Sequence, residues 1–509
     1  MTPPSTPPAP PTRGYSWYAL GLLALINLLN YVDRNVIYAL FEPIKRDLAL
    51  TDSQLGWLGS AYIFVFSVAA LPFGVISDLR SRRAVIAGGV TLWSAFTFLS
   101  GLVNSFGQLF TCRALVGVGE AAYGPAASSL VADYFPARGR AVAMGILSSG
   151  IALGGVLGLL LGGYLEGIYG WRVAFMTVGV PGFIMALLVS RLIDPIRVPA
   201  RLTVRSFLRD FEIGVMPLLR NLWPLLAGIA AGGVAAYWLD HYYGADSQVD
   251  LAVFSGAGGL GLALTIFRWV RRTPTDGGDD TPFGSGISGA FDDIVRALRI
   301  VLHTPTLVYL FAAGAMISFG LNGIVGWGPT FVTRELGLNA GEAATLLGKW
   351  GLISGTAGTL FGGVLADWLR RRYETARVIV VALGLLLGGP LALWLLTIRD
   401  PVLFQTVFVV TFFCLSWYNG PMTATIFDVV PARISATVAG AYLLFIHLAG
   451  DAIALPLVGT LSDRFGLDRA VLLLPAVVIV GGVTVLGAMR TVGRDMHRQG
   501  VERLSTVNS

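Results

Sequence analysis

The first long apolar stretch of the chain carries polar and charged residues at helical spacing. Asn27, Asn30 and Arg34 recur at i, i+3 and i+7, so they share one face of a helix, and Asp33 borders that face. A charge inside a long apolar helix is costly and is usually functional. These side chains are therefore candidates for binding a polar ligand or a proton.

A second apolar stretch, residues 107–132, carries Arg113 and Glu120 on one helix face. With a rise of about 1.5 Å per residue, Asp33 and Arg113 fall at a similar depth, so we expect them to pair. Glu120 falls farther along its helix, near the middle of the membrane. We expect no charged partner for Glu120 at that level.

A buried carboxylate without a partner can load and release protons near neutral pH. We therefore predict Glu120 as the main proton carrier, with Asp33 as the second candidate. The alternative is a structural salt-bridge cluster that only holds the two helices together.

The composition indicates a membrane protein. Of the 509 residues, 55% are hydrophobic and 13% are charged, and the mean hydropathy is +0.71. A soluble protein carries about 25% charged residues, so this chain has too little charge to cover a surface in water. The net charge of +6 comes largely from arginines in short loops between apolar runs, which is a topology signal and no indication of nucleic-acid binding.

Apolar runs long enough to cross a bilayer recur along the whole chain. We predict fourteen spans, of which twelve are clear and two, at 216–239 and 250–270, are rich in Gly and Ala. The twelve clear spans are 17–40, 53–77, 84–103, 107–132, 141–165, 171–193, 306–331, 341–366, 376–397, 401–427, 434–460 and 469–489.

The loops predict the orientation of these spans. Arginine-rich loops follow the second, fourth, sixth, eighth and tenth spans. If the spans alternate in direction, these loops share one side of the membrane, which the positive-inside rule assigns to the cytoplasm. We therefore expect a multi-pass protein of the cell (inner) membrane with both termini in the cytoplasm.

The predicted layout has five segments. The N-terminal residues are rich in Pro, Thr and Ser and show no signal-peptide pattern. We expect a disordered tail at 1–14, a six-helix bundle at 15–195, a cytoplasmic linker with two extra transmembrane helices at 196–304, a second six-helix bundle at 305–490 and a cytoplasmic tail at 491–509.

Three short segments of the first half recur in the second half in the same order, each at an offset just under 300 residues. Such internal similarity indicates a duplicated unit of six helices. The paired segments are 74–83 with 363–372 (both G-x-x-x-D-x-x-x-R-R), 133–138 with 428–433 (DYFPAR and DVVPAR), and 163–170 with 459–466.

Two parallel six-helix halves with this G-x-x-x-D-x-x-x-R-R motif resemble the major facilitator superfamily. The resemblance implies an all-α membrane fold of two six-helix bundles related by a pseudo-twofold axis, with the two extra helices placed between them. Ser81 stands where the motif often has Gly.

The motif also has a physical meaning. An acidic side chain at the inner end of a helix can pair with arginines or cap a neighbouring helix, and so hold the cytoplasmic side shut. A topology signal with tight packing is the alternative. The predicted gating residues are Gly74, Asp78, Arg82, Arg83, Asp133, Arg138, Asp367, Arg371, Asp428 and Arg433.

The second half offers mostly neutral polar and aromatic candidates, which suits an apolar or amphipathic ligand. His447 and Asp451, at i and i+4, are either a proton relay or a hydrogen-bonded structural pair. Aromatic residues are more often packing than ligand contacts. Our substrate-binding candidates are Arg34, Arg113, Asn27, Asn30, Tyr123, Asn322, Trp327, Trp417, Asn419 and His447.

Within the superfamily, the stretches 30–34 (NYVDR), 113–123 (RALVGVGEAAY) and 326–329 (GWGP) look like the Spinster family. Members of that family are implicated in moving sphingosine phosphate and lysophospholipids, in some cases coupled to protons. The resemblance implies functional roles for Asp33, Arg34 and Glu120.

We therefore expect a monomeric, proton-linked transporter that moves an amphipathic lipid by alternating access. The rival interpretations are a proton-coupled symporter of small organic anions and a multidrug efflux protein. An enzyme is not expected, because the sequence shows no P-loop, His/Cys metal cluster or Ser/His/Asp set. We expect neither a cofactor nor a metal, and Cys112 and Cys414 are expected to be unpaired.

Overall fold

The structure is a computed structural model, and it describes residues 12–79, 81–194, 299–431 and 434–498, together with scattered positions between 223 and 268. The chain divides into two compact units, one of residues 1–200 with 304–509 and one of residues 201–303. In the second unit, the described positions are helical. The predicted pair of spans at 216–239 and 250–270 lies largely outside the described residues.

The first half of the larger unit contains six helical passes. One pass is followed by a short separate helix, and another is divided in two by a short break. Its helices are α1 (Arg13–Ala39), α2 (Phe41–Leu48), α3 (Asp52–Leu79), α4 (Arg82–Ser100), α5 (Phe106–Ala121), α6 (Tyr123–Tyr134), α7 (Ala137–Tyr169) and α8 (Trp171–Ser190).

The second half repeats this arrangement. Its helices are α9 (Pro305–Leu336), α10 (Ala340–Arg370), α11 (Ala376–Leu395), α12 (Pro401–Leu415), α13 (Asn419–Asp428), α14 (Ser435–Ile446), α15 (Ala452–Phe465), α16 (Leu467–Ala470) and α17 (Leu473–Ala488). A 3₁₀ turn (Ser416–Tyr418) joins α12 to α13, and a π-helical turn (His447–Asp451) joins α14 to α15.

Each of the twelve clear predicted spans coincides with one helix or with two helices that follow each other directly. Among the described residues, ten helical segments are long and apolar enough to cross a membrane. The predicted all-α architecture of two six-helix halves is confirmed.

Two interruptions fall at equivalent places in the halves, and the sequence analysis missed both. The predicted span 107–132 breaks at Ala122, and the span 401–427 breaks at Ser416–Tyr418. Pro125 and Pro421 follow these breaks. Because proline has no N–H to donate to the carbonyl four residues earlier, each removes one helical hydrogen bond beside the break.

Glycines of α7 fix the position of α1. A Cβ built on Gly154 would lie 2.4 Å from the carbonyl oxygen of Leu28, and one built on Gly158 would lie 2.5 Å from that of Val32. Such close approach of two helices requires small residues at the contact. These glycine contacts thereby fix the position of the part of α1 that carries Asp33 and Arg34.

The bundle has two ends, which we call the terminal face and the opposite face. At the terminal face, where α1 begins and α8 ends, the N–H of Ile193 donates to the hydroxyl of Tyr15 at 2.7 Å. At the opposite face, where α2 connects α1 to α3, the indole N–H of Trp171 donates to Asp47 at 3.1 Å.

Close packing joins the two halves at the opposite face. A Cβ built on Gly56 of α3 would lie 2.3 Å from the carbonyl oxygen of Leu455 in α15. A Cβ on Gly163 of α7 would lie 2.6 Å from the carbonyl oxygen of Ala340 in α10. These two seams hold the opposite face closed, because neither leaves room for a side chain between the helices.

A network of charged side chains also joins the two halves at the opposite face. We call it the opposite-face latch (Glu42, Lys45, Asp52, Arg334 and Asp463). Arg334 of α9 donates to Glu42 at 2.6 Å and to both carboxylate oxygens of Asp52 at 2.7 Å. Lys45 donates to Asp52 at 2.6 Å. Asp463 of α15 accepts from two backbone N–H groups at the start of α3, at 2.8 and 2.9 Å.

At the terminal face, the described ion pairs stay within one half. Arg82 pairs with Asp133 at 2.5 Å and with Asp194 at 3.5 Å in the first half. In the second half, Asp428 pairs with Arg370 at 3.1 Å and with Arg377. Within the described part of the chain, ion pairs thus connect the two halves at the opposite face. At the terminal face, the ion pairs connect residues of the same half.

Replacing Arg334 with Gln should loosen the opposite face. The change removes charged hydrogen bonds to Glu42 and Asp52, which we expect to cost about 1.5 kcal/mol, enough to raise the open population about tenfold. Spin labels at the exposed positions Tyr169 and Val402, in a background without the native cysteines, would report the separation by electron–electron double resonance.

Arg399→Gln is the matched control, because Arg399 pairs with Glu335 at 3.0 Å inside the second half. We expect its distance distribution to match that of the unmodified protein. An Arg334→Gln distribution that is equally unchanged would show that the latch does not hold the face closed.

Candidate functional site

The four charged residues of α1 and α5 form two ion pairs. Arg113 donates to the carboxylate of Asp33 at 2.9 Å, so the expected pairing of these residues is confirmed. Arg34 donates to Oε2 of Glu120 at 2.6 Å. The expectation that Glu120 has no charged partner is therefore wrong.

The direction of helical side chains explains the second pair. Side chains lean toward the N-terminus of their own helix. Since α1 and α5 run in opposite directions, the long side chain of Arg34 leans toward the middle of the bundle while that of Glu120 leans toward the opposite face. A depth estimate from Cα positions alone places these groups at different levels and misses their contact.

The pair of Asp33 and Arg113 is sealed from the surroundings. The side chain of Arg113 is 0% exposed and that of Asp33 is 3% exposed. Arg113 also donates to the backbone carbonyl of Asp33 at 3.4 Å, and the hydroxyl of Thr97 donates to the Asp33 carboxylate. Nε of Arg113 is buried without a hydrogen-bond partner among the described residues. With both terminal nitrogens of Arg113 bound to Asp33, the pair is suited to fixing α1 against α5.

The pair of Arg34 and Glu120 is less enclosed on the arginine side. Arg34 retains 11% side-chain exposure, whereas Glu120 retains none. Three aromatic rings surround the guanidinium, those of Tyr31 at 4.8 Å, Phe66 at 4.5 Å and Tyr62 at 5.5 Å. These contacts hold a cation in place without removing its charge.

Glu120 has one oxygen in use and one unused. Oε2 accepts from Arg34, while Oε1 is buried without a hydrogen-bond partner among the described residues. The amide nitrogen of Asn30, also buried, is likewise unpaired within that part of the chain. An unsatisfied buried carboxylate oxygen is costly and has the capacity to bind a proton.

The second half contributes a cluster around Asp451, which is 4% exposed. Its Oδ1 accepts from Asn322 at 2.8 Å and from the hydroxyl of Ser318, and its Oδ2 lies 2.6 Å from Nδ1 of His447. His447 keeps 36% side-chain exposure. With Nδ1 held by Asp451, its other ring nitrogen remains available to the surroundings.

The two clusters approach each other across the halves. Tyr62, whose ring lies 5.5 Å from the Arg34 guanidinium, shares a buried apolar cluster with Ala452, the residue after Asp451. His447 and Asp451 lie at the two ends of the π-helical turn, and turns of this kind are frequent at functional sites.

The remaining substrate-binding candidates differ in how exposed their side chains are. Asn27 is half-buried and donates to the carbonyl of Leu147 at 2.8 Å, and Asn419 is exposed and donates to Thr359 at 3.2 Å. Others are buried in the protein: the hydroxyl of Tyr123 donates to the carbonyl of Leu23 at 2.6 Å, and the indole of Trp327 to that of Leu455 at 3.2 Å.

Trp417 is also buried, 8% exposed, and packs against Phe361 and Phe413 with ring centroids 4.9 and 5.8 Å apart. Its indole nitrogen has no hydrogen-bond partner in the described structure. Trp417, Tyr123 and Trp327 thus lie in packed regions in this conformation.

The predicted gating residues are described in part. Arg82, Asp133 and Asp428 form the ion pairs at the terminal face, and Asp367 pairs with Arg377 at 3.4 Å while 72% exposed. Arg83 donates to the carbonyl of Leu192 at 2.8 Å, and Arg371 is exposed. Gly74, Asp78, Arg138 and Arg433 lie outside the residues whose side chains the structure describes.

Sequence reasoning missed the opposite-face latch and the aromatic rings around Arg34. Acidic residues at helix ends, Asp52 at the start of α3 and Asp463 near the end of α15, were available as a signal for the latch. Nothing in the spacing of Tyr31, Tyr62 and Phe66 indicates that they meet around one arginine. Among the described residues, no group of three or more His, Cys, Asp or Glu could hold a metal.

The chain matches the Major Facilitator Superfamily over residues 23–238 and 222–451, and it belongs to that superfamily. It is accordingly a multi-pass membrane transporter of small-molecule substrates. In structure it is similar to a bacterial homologue of the human lysosomal transporter Spinster in an inward-facing and unoccupied conformation, with a TM-score of 0.69, 22% identity and coverage of 95% of this chain and 99% of that chain.

Two relatives in sequence are an MFS-type efflux pump of Mycolicibacterium smegmatis and the sphingosine-1-phosphate transporter SPNS2 of Xenopus tropicalis. The pump is 27% identical over 490 residues, covering 94% of each chain. SPNS2 is 24% identical over 503 residues, covering 94% of this chain and 83% of the relative. The resemblance to Spinster proteins is thereby confirmed.

Replacing Arg113 with Gln should destabilise the protein strongly. The change leaves the carboxylate of Asp33 buried without its counter-charge, which costs about 3–5 kcal/mol. The double variant Asp33→Asn with Arg113→Gln leaves no unpaired charge, so we expect a smaller loss. Melting in detergent would rank the variants, and a double variant less stable than the single one would contradict a buried ion pair.

Proposed function

We propose that this protein is a proton-linked transporter that moves an amphipathic lipid of the lysophospholipid or sphingoid type by alternating access. The observation that carries the proposal is the Arg34–Glu120 pair, in which a partly exposed cation is bound to a buried carboxylate with one unsatisfied oxygen. Such a pair can exchange its internal anion for an external one.

The exchange couples substrate to proton. An anionic headgroup that binds Arg34 competes with Glu120 for the same guanidinium. Glu120, left buried without its counter-charge, takes up a proton, because a lone ionised carboxylate is strongly disfavoured in an apolar interior. A proton can add at Oε1, which has no partner to displace within the described structure.

Arg34 is better placed than Arg113 to hold the headgroup. The Arg113 side chain is fully buried and engaged with Asp33, whereas Arg34 is partly exposed. Asn27 of the same helix and the other ring nitrogen of His447 are further hydrogen-bonding groups that we propose for the headgroup. The aromatic and neutral character of the second half suits the tail of the lipid.

The pattern of contacts between the halves fits alternating access with the terminal face as the open side. The opposite face carries both the packed seams and the latch, while the described terminal-face ion pairs lie within each half. We assign the terminal face to the cytoplasm, since the arginine-rich loops lie there. The protein then resides in the cell membrane with both termini inside.

The relatives support this substrate class in different degrees. The similarity to a sphingosine-1-phosphate transporter favours a lipid with a phosphate headgroup. The similarity to an efflux pump along nearly the whole chain favours export of apolar compounds as a second candidate function. A symporter of small organic anions is the remaining rival.

Glu120→Gln should abolish uptake driven by a pH gradient but preserve exchange of substrate across the membrane. The neutral amide imitates the protonated carboxyl, so substrate still binds Arg34, but no proton is loaded or released. Uptake of a labelled lysophospholipid into proteoliposomes, with and without an imposed pH gradient, measures the first effect, and counterflow measures the second.

Glu166→Gln, a change of an acid near the end of α7, is the control and should leave both activities intact. Gradient-driven uptake that persists in Glu120→Gln would remove Glu120 from proton coupling. If the wild-type protein does not transport lysophospholipid but transports a small organic acid, or exports an apolar dye, one of the rival substrates would replace the lipid in the proposal.

A further inference from the structure

A crevice of about 900 Å³ opens at the terminal face of the first half, where α1, α6 and α7 meet. It lies away from Arg34 and Glu120 and plays no part in the proposed coupling. Its polar rim includes Arg13, Asp133 and Arg140, and its apolar wall includes Trp17 and Phe135. A volume of several hundred Å³ is in the range of small-molecule binding sites.

The charge of the crevice is positive. Arg13 is exposed, and Arg140 is exposed with one hydrogen bond, from Nη2 to the carbonyl of Ala132 at 2.8 Å. Neither arginine pairs with a carboxylate among the described residues. The one acid of the rim, Asp133, pairs with Arg82 at 2.5 Å, and Arg82 also pairs with Asp194 at 3.5 Å. Arg13 and Arg140 are the two guanidinium groups of the rim that remain to attract an anion.

The apolar side of the crevice continues along α7. The ring of Trp17 meets that of Phe135 edge-on at 5.3 Å and stays 43% exposed. Val142, on the crevice wall, is 61% exposed, and Ile146 and Leu153 continue along the same face of α7. Tryptophan beside arginine at the end of a transmembrane helix is typical of the lipid headgroup region.

We infer that this crevice binds the headgroup of an anionic glycerophospholipid from the surrounding leaflet. The two arginines take the phosphate and a second anionic or hydroxyl group, Trp17 and Phe135 contact the glycerol region, and an acyl chain follows Val142 and Ile146 along α7. A soluble phosphate compound would leave this apolar surface unused, and a zwitterionic lipid would bring its cationic group toward the arginines.

Binding can be measured by native mass spectrometry of the full chain in detergent, titrated with phosphatidylglycerol or phosphatidylcholine. We expect phosphatidylglycerol to bind more tightly. Each arginine near a membrane surface contributes about 1 kcal/mol toward anionic lipid, so Arg13→Gln should weaken binding about fivefold. The double variant Arg13→Gln with Arg140→Gln should remove the preference.

Arg191→Gln is the matched control, because Arg191 is exposed at the end of α8, on the same face but outside the crevice. It should keep the preference for phosphatidylglycerol. Arg13 is exposed at the start of α1, so its variant should melt like the unmodified protein when no lipid is added. Unchanged melting together with weaker lipid binding would support a direct contact.

Several results would overturn the inference. Equal affinity for the two lipids would show that the arginines do not select an anion. An equal loss in Arg191→Gln would indicate a general surface charge effect. Displacement of the lipid by glycerol phosphate at similar concentration would identify a soluble phosphate as the ligand instead.

Discussion

The ion pair of Arg34 and Glu120 is the interaction on which the rest of the site depends. Two charges removed from water cost several kcal/mol each, and their attraction offsets this only when the geometry is held. The glycines of α7 set the position of α1, and the sealed pair of Asp33 and Arg113 fixes α1 against α5. In our account the sealed pair is structural, and the pair of Arg34 and Glu120 is the one that we propose changes partner.

The two halves share their helical plan but differ in chemistry. The first half carries the charged pairs, whereas the second half offers a hydrogen-bonded cluster around Asp451 and aromatic surface. Charges in the first half and aromatic surface in the second half suit the substrate that we propose, a molecule with an anionic head and a long tail. A small dianion would bind better between cations from both halves. The described part of the second half places no lysine or arginine near Asp451.

The contacts between the halves have a related asymmetry. Arg334 joins acids of the first half at the opposite face, and Asp463 caps the start of α3. The equivalent ion pairs of Arg82 and Asp133, and of Arg377 and Asp428, brace each half separately at the terminal face. Each half is therefore braced separately, and in the proposed mechanism the latch and the two packed seams are the connections that must break when the opposite face opens.

The sequence predicts the helices well because apolar length and loop charge depend on composition alone. The pairing of Asp33 with Arg113 was also predictable, since both residues fall at one depth. The partner of Glu120 was not, because it depends on the lean of two long side chains. The breaks before Pro125 and Pro421 could have been anticipated from proline chemistry. The rings around Arg34 come from tertiary packing that no spacing encodes.

The most direct test of substrate–proton exchange at Arg34 and Glu120 is proton uptake on substrate binding. A pH-sensitive dye in weakly buffered detergent solution would record protons taken up when a lysophospholipid is added to the purified protein. We expect uptake approaching one proton per bound lipid near neutral pH, and none in Glu120→Gln despite binding. Equal uptake by both proteins, or lipid binding without uptake in the unmodified protein, would contradict the exchange.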